Sequence, residues 1–84
     1  MPISNAKITV GVTPTELVES GGNYEAHIHS ASGTVYLGDA NVTTANGYKF
    51  DNGDKDIFTV PDGSALYATS AAGGQTVYVL KVAL

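Results

Sequence analysis

His27-x-His29 is the pair of residues in this 84-residue chain most suggestive of chemistry. On an extended strand, positions i and i+2 share a face about 6–7 Å apart, so both imidazoles could reach one metal ion. The plainer reading is two polar residues on the solvent side of an alternating strand, and no bound metal or cofactor is expected. A second cluster is acidic: Asp51, Asp54, Asp56 and Asp62. Calcium needs several oxygen ligands converging on one point. The EF-hand order D-x-(D/N)-x-(D/N)-G is absent here because Gly53 stands at its third position. A hairpin turn with solvated carboxylates, partly balanced by Lys55, explains the Asp51–Asp56 segment more simply. Catalysis has little to build on, since there is no cysteine, no G-x-S-x-G and no glycine-rich loop opening a helix. The chain reads as a non-enzyme. Tyr36 and Tyr78 are candidates for stacking on a sugar, but such tyrosines usually cover a thin core with the hydroxyl in water. Asn41-Val42-Thr43 matches a glycosylation sequon and reads as a turn.

The elements that would position these residues are strands. Ile8, Val10 and Val12 alternate with polar neighbours, predicting a first strand over 7–12 that Pro14 ends or bends. Residues 15–20 read as a short strand or turn. From 24 to 30, Tyr24, Ala26 and Ile28 fall on one face and Glu25, His27 and His29 on the other, the pattern of a half-buried antiparallel strand. Further runs follow at 34–37, 48–50, 56–60, 65–69 and 75–84, with a brief strand at Val42-Thr43. Asn46-Gly47 has the composition of a tight hairpin turn with positive φ. About eight short strands, with turns every 8–12 residues or so, predict an all-β fold: a small antiparallel β-sandwich or jelly-roll-like domain. The last strand stands apart. Val77, Tyr78, Val79, Leu80 and Val82 are apolar on both faces, so it is either central in a sandwich or covered by another chain. Those residues are the expected oligomer interface.

Composition bounds the rest. A single domain spans 1–84, and a domain of this size buries only roughly 60–65% of its unfolded surface. Without cysteine it has no disulfide or thiolate–zinc reinforcement, so self-association is the common remaining support. Four lysines, no arginine and eight acidic residues give a net charge of −4. Nucleic-acid binding needs clustered cations to neutralise phosphates, so DNA and RNA are not expected partners. Neither a membrane span nor a secretion signal is read in the chain, and synthesis in a cytoplasm is expected. Residues 1–6 hold Met1, Pro2, Ile3, Ser4, Asn5 and Ala6 with no charged side chain. They read as an N-terminal arm or the lead-in to the first strand.

The order VYLG-D-ANVT, then G-Y-x-F, an acidic turn, ALYA and a terminal VYVL resembles a group of small β-rich virion proteins of tailed bacteriophages. The resemblance runs from about Val10 to Leu80, and its motifs are structural. It implies a viral structural protein: a capsid decoration protein, homotrimeric, on the outer surface of the head, with the major capsid protein as partner. Within that reading the capsid contact is expected from Met1, Pro2, Ile3, Ser4, Asn5 and Ala6. The alternative it implies is a phage tail, fibre or baseplate module that recognises a host receptor.

Overall fold

The computed structural model describes residues 3–84. Eight strands follow in order: β1 (Ile3–Val10), β2 (Thr15–Val18), β3 (Tyr24–Ser32), β4 (Val35–Gly38), β5 (Tyr48–Phe50), β6 (Lys55–Val60), β7 (Leu66–Thr69) and β8 (Gln75–Ala83). They form two four-stranded sheets, β1-β8-β3-β6 and β2-β7-β4-β5. β1 pairs with β8, β2 with β7, β3 with β6 and β4 with β5, all antiparallel, as in one long hairpin whose tip is the β4–β5 loop. Two sideways ladders, β3–β8 and β4–β7, join the coiled hairpin into sheets. A hairpin rolled in this way is the jelly-roll form of the β-sandwich.

Alternation of side chains builds the core. Val10, Ala26, Ile28, Val77 and Val79 point inward from the first sheet, and Leu17, Val18, Val35, Leu37, Phe50 and Ala68 meet them from the second. At one margin, Tyr48, Phe50 and Phe58 bring their rings within 5.9–6.2 Å of one another and join edge strands β5 and β6 across the layers. Elsewhere Lys81 projects from the inward side of β8. Its ammonium lies 4.6 Å above the Tyr24 ring centroid and 3.0 Å from a Glu19 carboxylate oxygen, so an apolar stem fills the sandwich end while the charge is paired. Buried polar groups are satisfied. The Ser30 hydroxyl donates to the Gly33 carbonyl at 2.9 Å, and the Ser70 hydroxyl donates to the Gly11 carbonyl at 3.1 Å while accepting from the Gly73 N–H.

Several local expectations change. β1 begins at Ile3 and ends at Val10, and Val12 lies outside it, 65% exposed, where the chain leaves for the second sheet. Val42 is buried but not in a strand. It plugs the β4–β5 loop, its side chain close over Gly38 and Gly47. Asn46-Gly47 is not a positive-φ hairpin turn. Instead the Gly47 N–H donates to the Thr43 carbonyl and the Asn46 side chain accepts from the Thr43 N–H, because the loop is wound around Val42. The glycine is needed for close approach: a Cβ there would lie 2.6 Å from Tyr36 Cβ and 2.8 Å from Val42 Cγ2. The acidic turn does follow its expectation, with Gly53 at φ 88° and the Asp54 N–H donating to the Asp51 carbonyl.

Two stability predictions follow from this packing. In urea unfolding followed by circular dichroism, Ile28→Ala is expected to cost about 2–5 kcal/mol, whereas Ile57→Ala on the outer surface should cost less than ~1 kcal/mol. Gly47→Ala should cost about 1–3 kcal/mol by overpacking Val42 and Tyr36; an unchanged midpoint would mean that the loop is not packed in this way.

Candidate functional site

The outer face of the β1-β8-β3-β6 sheet gathers most of the residues of interest. Backbone register sets them in rows across all four strands. One row runs Asn5, Leu80, His27, Ile57, and the next runs Lys7, Tyr78, His29, Lys55. Together they line a shallow, open trough of about 650 Å3. Ile57, Tyr78 and Leu80 are 54%, 45% and 40% exposed; Tyr78 and Leu80 stand on β8 and Ile57 on β6, with the histidines of β3 between them. Val82 and Ile3 stand opposite each other one row further on.

The two histidines share this face, as alternation predicts, but each has a different neighbour. His27 is half-buried, with Nε2 3.1 Å from a Glu25 oxygen. His29 is exposed and its ring stacks beside Tyr78, 6.4 Å between centroids at 29°. Among the described residues there is no group of three His, Cys, Asp or Glu side chains placed to hold a metal. The Asp cluster does not converge either. Asp54 accepts from the Asp51 N–H, Asp51 accepts from the Thr34 hydroxyl, and Asp56 accepts from the Ile57 N–H. Asp62 sits at the next turn, its N–H bonded to Asn23. The Asp54 and Asp56 carboxylates are local braces of the backbone, while that of Asp51 meets the Thr34 hydroxyl and lies 3.8 Å from Lys49. Tyr36 and Tyr78 lie on the outer faces of opposite sheets, so they do not form one sugar platform.

The oligomer-interface expectation needs correction at two residues. Val77 and Val79 are core residues, 0% and 4% exposed, and cannot meet another chain, whereas Tyr78 and Leu80 on the alternate positions can. β8 is central in its sheet, hydrogen-bonded by β1 and β3, and its second apolar side is the trough floor. Ile3, Ser4, Asn5 and Ala6 are not a free arm but the first half of β1, paired with Val82, Lys81, Leu80 and Val79. Met1 and Pro2 lie outside the described residues.

Lys7 and Ile57 were not singled out by sequence, and Lys55 was read there only as a partial balance to the acidic turn. Lys49 and Lys81 have carboxylate partners at 3.8 and 3.0 Å, while Lys7 and Lys55 have none within 4 Å among the described residues, and both fall in the same row of the trough. This acidic protein therefore presents its unpaired cations together, at either end of the Tyr78–His29 stack. Such a surface can bury apolar area and offer hydrogen bonds and positive charge to a partner. Among the described residues it encloses no cavity and sets no nucleophile beside a base.

Comparison with known protein families, curated proteins and solved structures finds no match to this chain.

Because neither histidine holds a buried partner network, replacing both with glutamine should shift stability by less than ~1 kcal/mol. Stoichiometric zinc or iron in untagged protein, measured by elemental analysis, would refute the metal-free reading of this face.

Proposed function

We propose that this chain is a bacteriophage capsid decoration protein that attaches through the outer face of the β1-β8-β3-β6 sheet. The observation that carries the attachment site is the row of exposed Leu80 and Ile57 beside the Tyr78–His29 stack. The virion context rests on the resemblance of VYLG-D-ANVT, ALYA and VYVL to small phage virion proteins. The jelly-roll form recurs among viral capsid and lectin domains, which agrees with that context but, as a fold alone, does not establish it.

The mechanism is adhesive. Apolar area on the face contributes roughly 25 cal/mol per Å2 removed from water. Association costs about 4–15 kcal/mol in lost freedom, so one small face binds weakly. A copy spanning neighbouring major capsid subunits gains through effective concentration, because release of one contact leaves the other in place. The shell is then stabilised by the copies bound to its intact form. Ile3 and Asn5 belong to the same outer face, so the N-terminal contact first expected from residues 1–6 becomes one side of a broader surface.

Ile57→Thr and Leu80→Thr test this site, since threonine keeps strand propensity while removing apolar area. Each variant is expected to fold with less than ~1 kcal/mol change and to lose head binding by roughly tenfold or more. Undiminished decoration by the double variant would reject the face. Gold-labelled protein on purified virions should mark heads in many copies; sparse label at the tail would favour the receptor-recognition module instead.

A further inference from the structure

The two sheets leave four strand edges: β1 and β6 on one, β2 and β5 on the other. An edge strand carries a row of unpaired N–H and C=O groups, and proteins usually blunt it by shortness, bulges, proline or charge. β5 has three residues, and β2 has four with its register broken between Glu16 and Val18. β6 starts with Lys55 and Asp56, follows the acidic turn and runs into Pro61. Within its own span β1 has none of these devices beyond Lys7, and in sequence it is preceded by Pro2. It is eight residues long, in unbroken register with β8, and free of proline and bulges. From Ile3 to Lys7 its side chains are exposed on both faces, so the second sheet does not reach over Ser4 or Ala6.

We infer that β1 is a self-pairing edge: it adds antiparallel to β1 of a second copy about a two-fold axis, joining the two β1-β8-β3-β6 sheets into one. A strand paired with itself matches every donor to an acceptor by symmetry, and the contact closes without leaving a new edge at the junction. The register follows from geometry and charge. A two-fold axis normal to the sheet sets facing side chains on the same side, so the numbers of paired residues sum to an even value. A sum of 14 sets Lys7 against Lys7, which like-charge repulsion disfavours, and a sum of 10 limits the described overlap to Ile3–Lys7. A sum of 12 pairs Ala6 with Ala6, Asn5 with Lys7, Ser4 with Ile8 and Ile3 with Thr9 of the second copy. Each lysine then faces a neutral amide oxygen, and the ladder spans Ile3–Thr9. This two-fold pairing stands in place of the homotrimer implied by the resemblance, and it does not depend on the virion reading.

A single ladder buries less than the roughly 1,200 Å2 of a standard interface, so the dimer should be concentration-dependent and populated at about 100 µM. Sedimentation equilibrium and native mass spectrometry should show it. The cysteine-free background allows a register test. Directly opposed residues have Cα atoms about 4.5–5.5 Å apart, within disulfide reach, so Ala6→Cys should cross-link to a dimer on mild oxidation and Asn5→Cys should not. Ala6→Lys, at an exposed position, sets two charges face to face and should give a monomer with an unchanged circular dichroism spectrum. A wild-type monomer or trimer at that concentration, cross-linking at Asn5 in preference to Ala6, or association unaffected by Ala6→Lys would each overturn the inference.

Discussion

The pairing of β3 with β8 is the contact on which the rest of the molecule depends. Without it the chain is a long antiparallel ribbon with an apolar stripe on one side and nothing to cover it. The ladder from Tyr24–Ala83 to Ser32–Thr76 lays two distant parts of that ribbon side by side. It makes β8 a central strand, sets Val79 beside Ile28 and Val77 beside Ser30 on one inner face, and creates the opposing sheets that bury them. The matching β4–β7 ladder does the same for the other half. These contacts span long stretches of sequence, and loop-closure entropy must be met before they stabilise anything, so cooperative, comparatively slow folding follows from the topology.

A domain this small has little interior to spare, and its margins are built accordingly. The aromatic trio Tyr48, Phe50 and Phe58 joins the layers along one side. Lys81 fills another with its methylene stem and rests its charge between Tyr24 and Glu19. Ser30 and Ser70 are fully enclosed, yet each hydroxyl meets a loop carbonyl, so they tie the loops down at no desolvation deficit. Polar groups here serve the sandwich ends, where turns leave backbone atoms without ladder partners.

The outer face of the first sheet and the free side of β1 are continuous. Both use residues whose counterparts on the other side of the same strands form the core. Leu80 faces out because Val79 faces in, and His27 and His29 face out because Ala26 and Ile28 are buried. An apolar outer row is no help to the isolated fold. Lys7 and Lys55 stand in the neighbouring row, and the net charge of −4 adds the mutual repulsion that opposes non-specific association.

By itself the sequence determined the strand content, the sandwich class and the facing of β3, because alternation of Tyr24, Ala26 and Ile28 with Glu25, His27 and His29 needs only the two-residue period of a strand. It also marked the Asp51–Asp54 turn, where Gly53 supplies the positive φ. It left open whether the two-sided apolar β8 was central or covered, since a run such as Val77–Val82 looks the same in either case. Strand order, the non-strand plug made by Val42, the sealing role of Lys81 and the gathering of Lys7 and Lys55 with Ile57 and Leu80 were decided only by tertiary structure. All but the Val42 plug depend on pairings between residues far apart in the chain, and that plug depends on loop packing that strand alternation does not encode. Local periodicity says which way a side chain turns on its own strand, but the identity of its neighbour across the sheet comes from the register of the rolled ribbon.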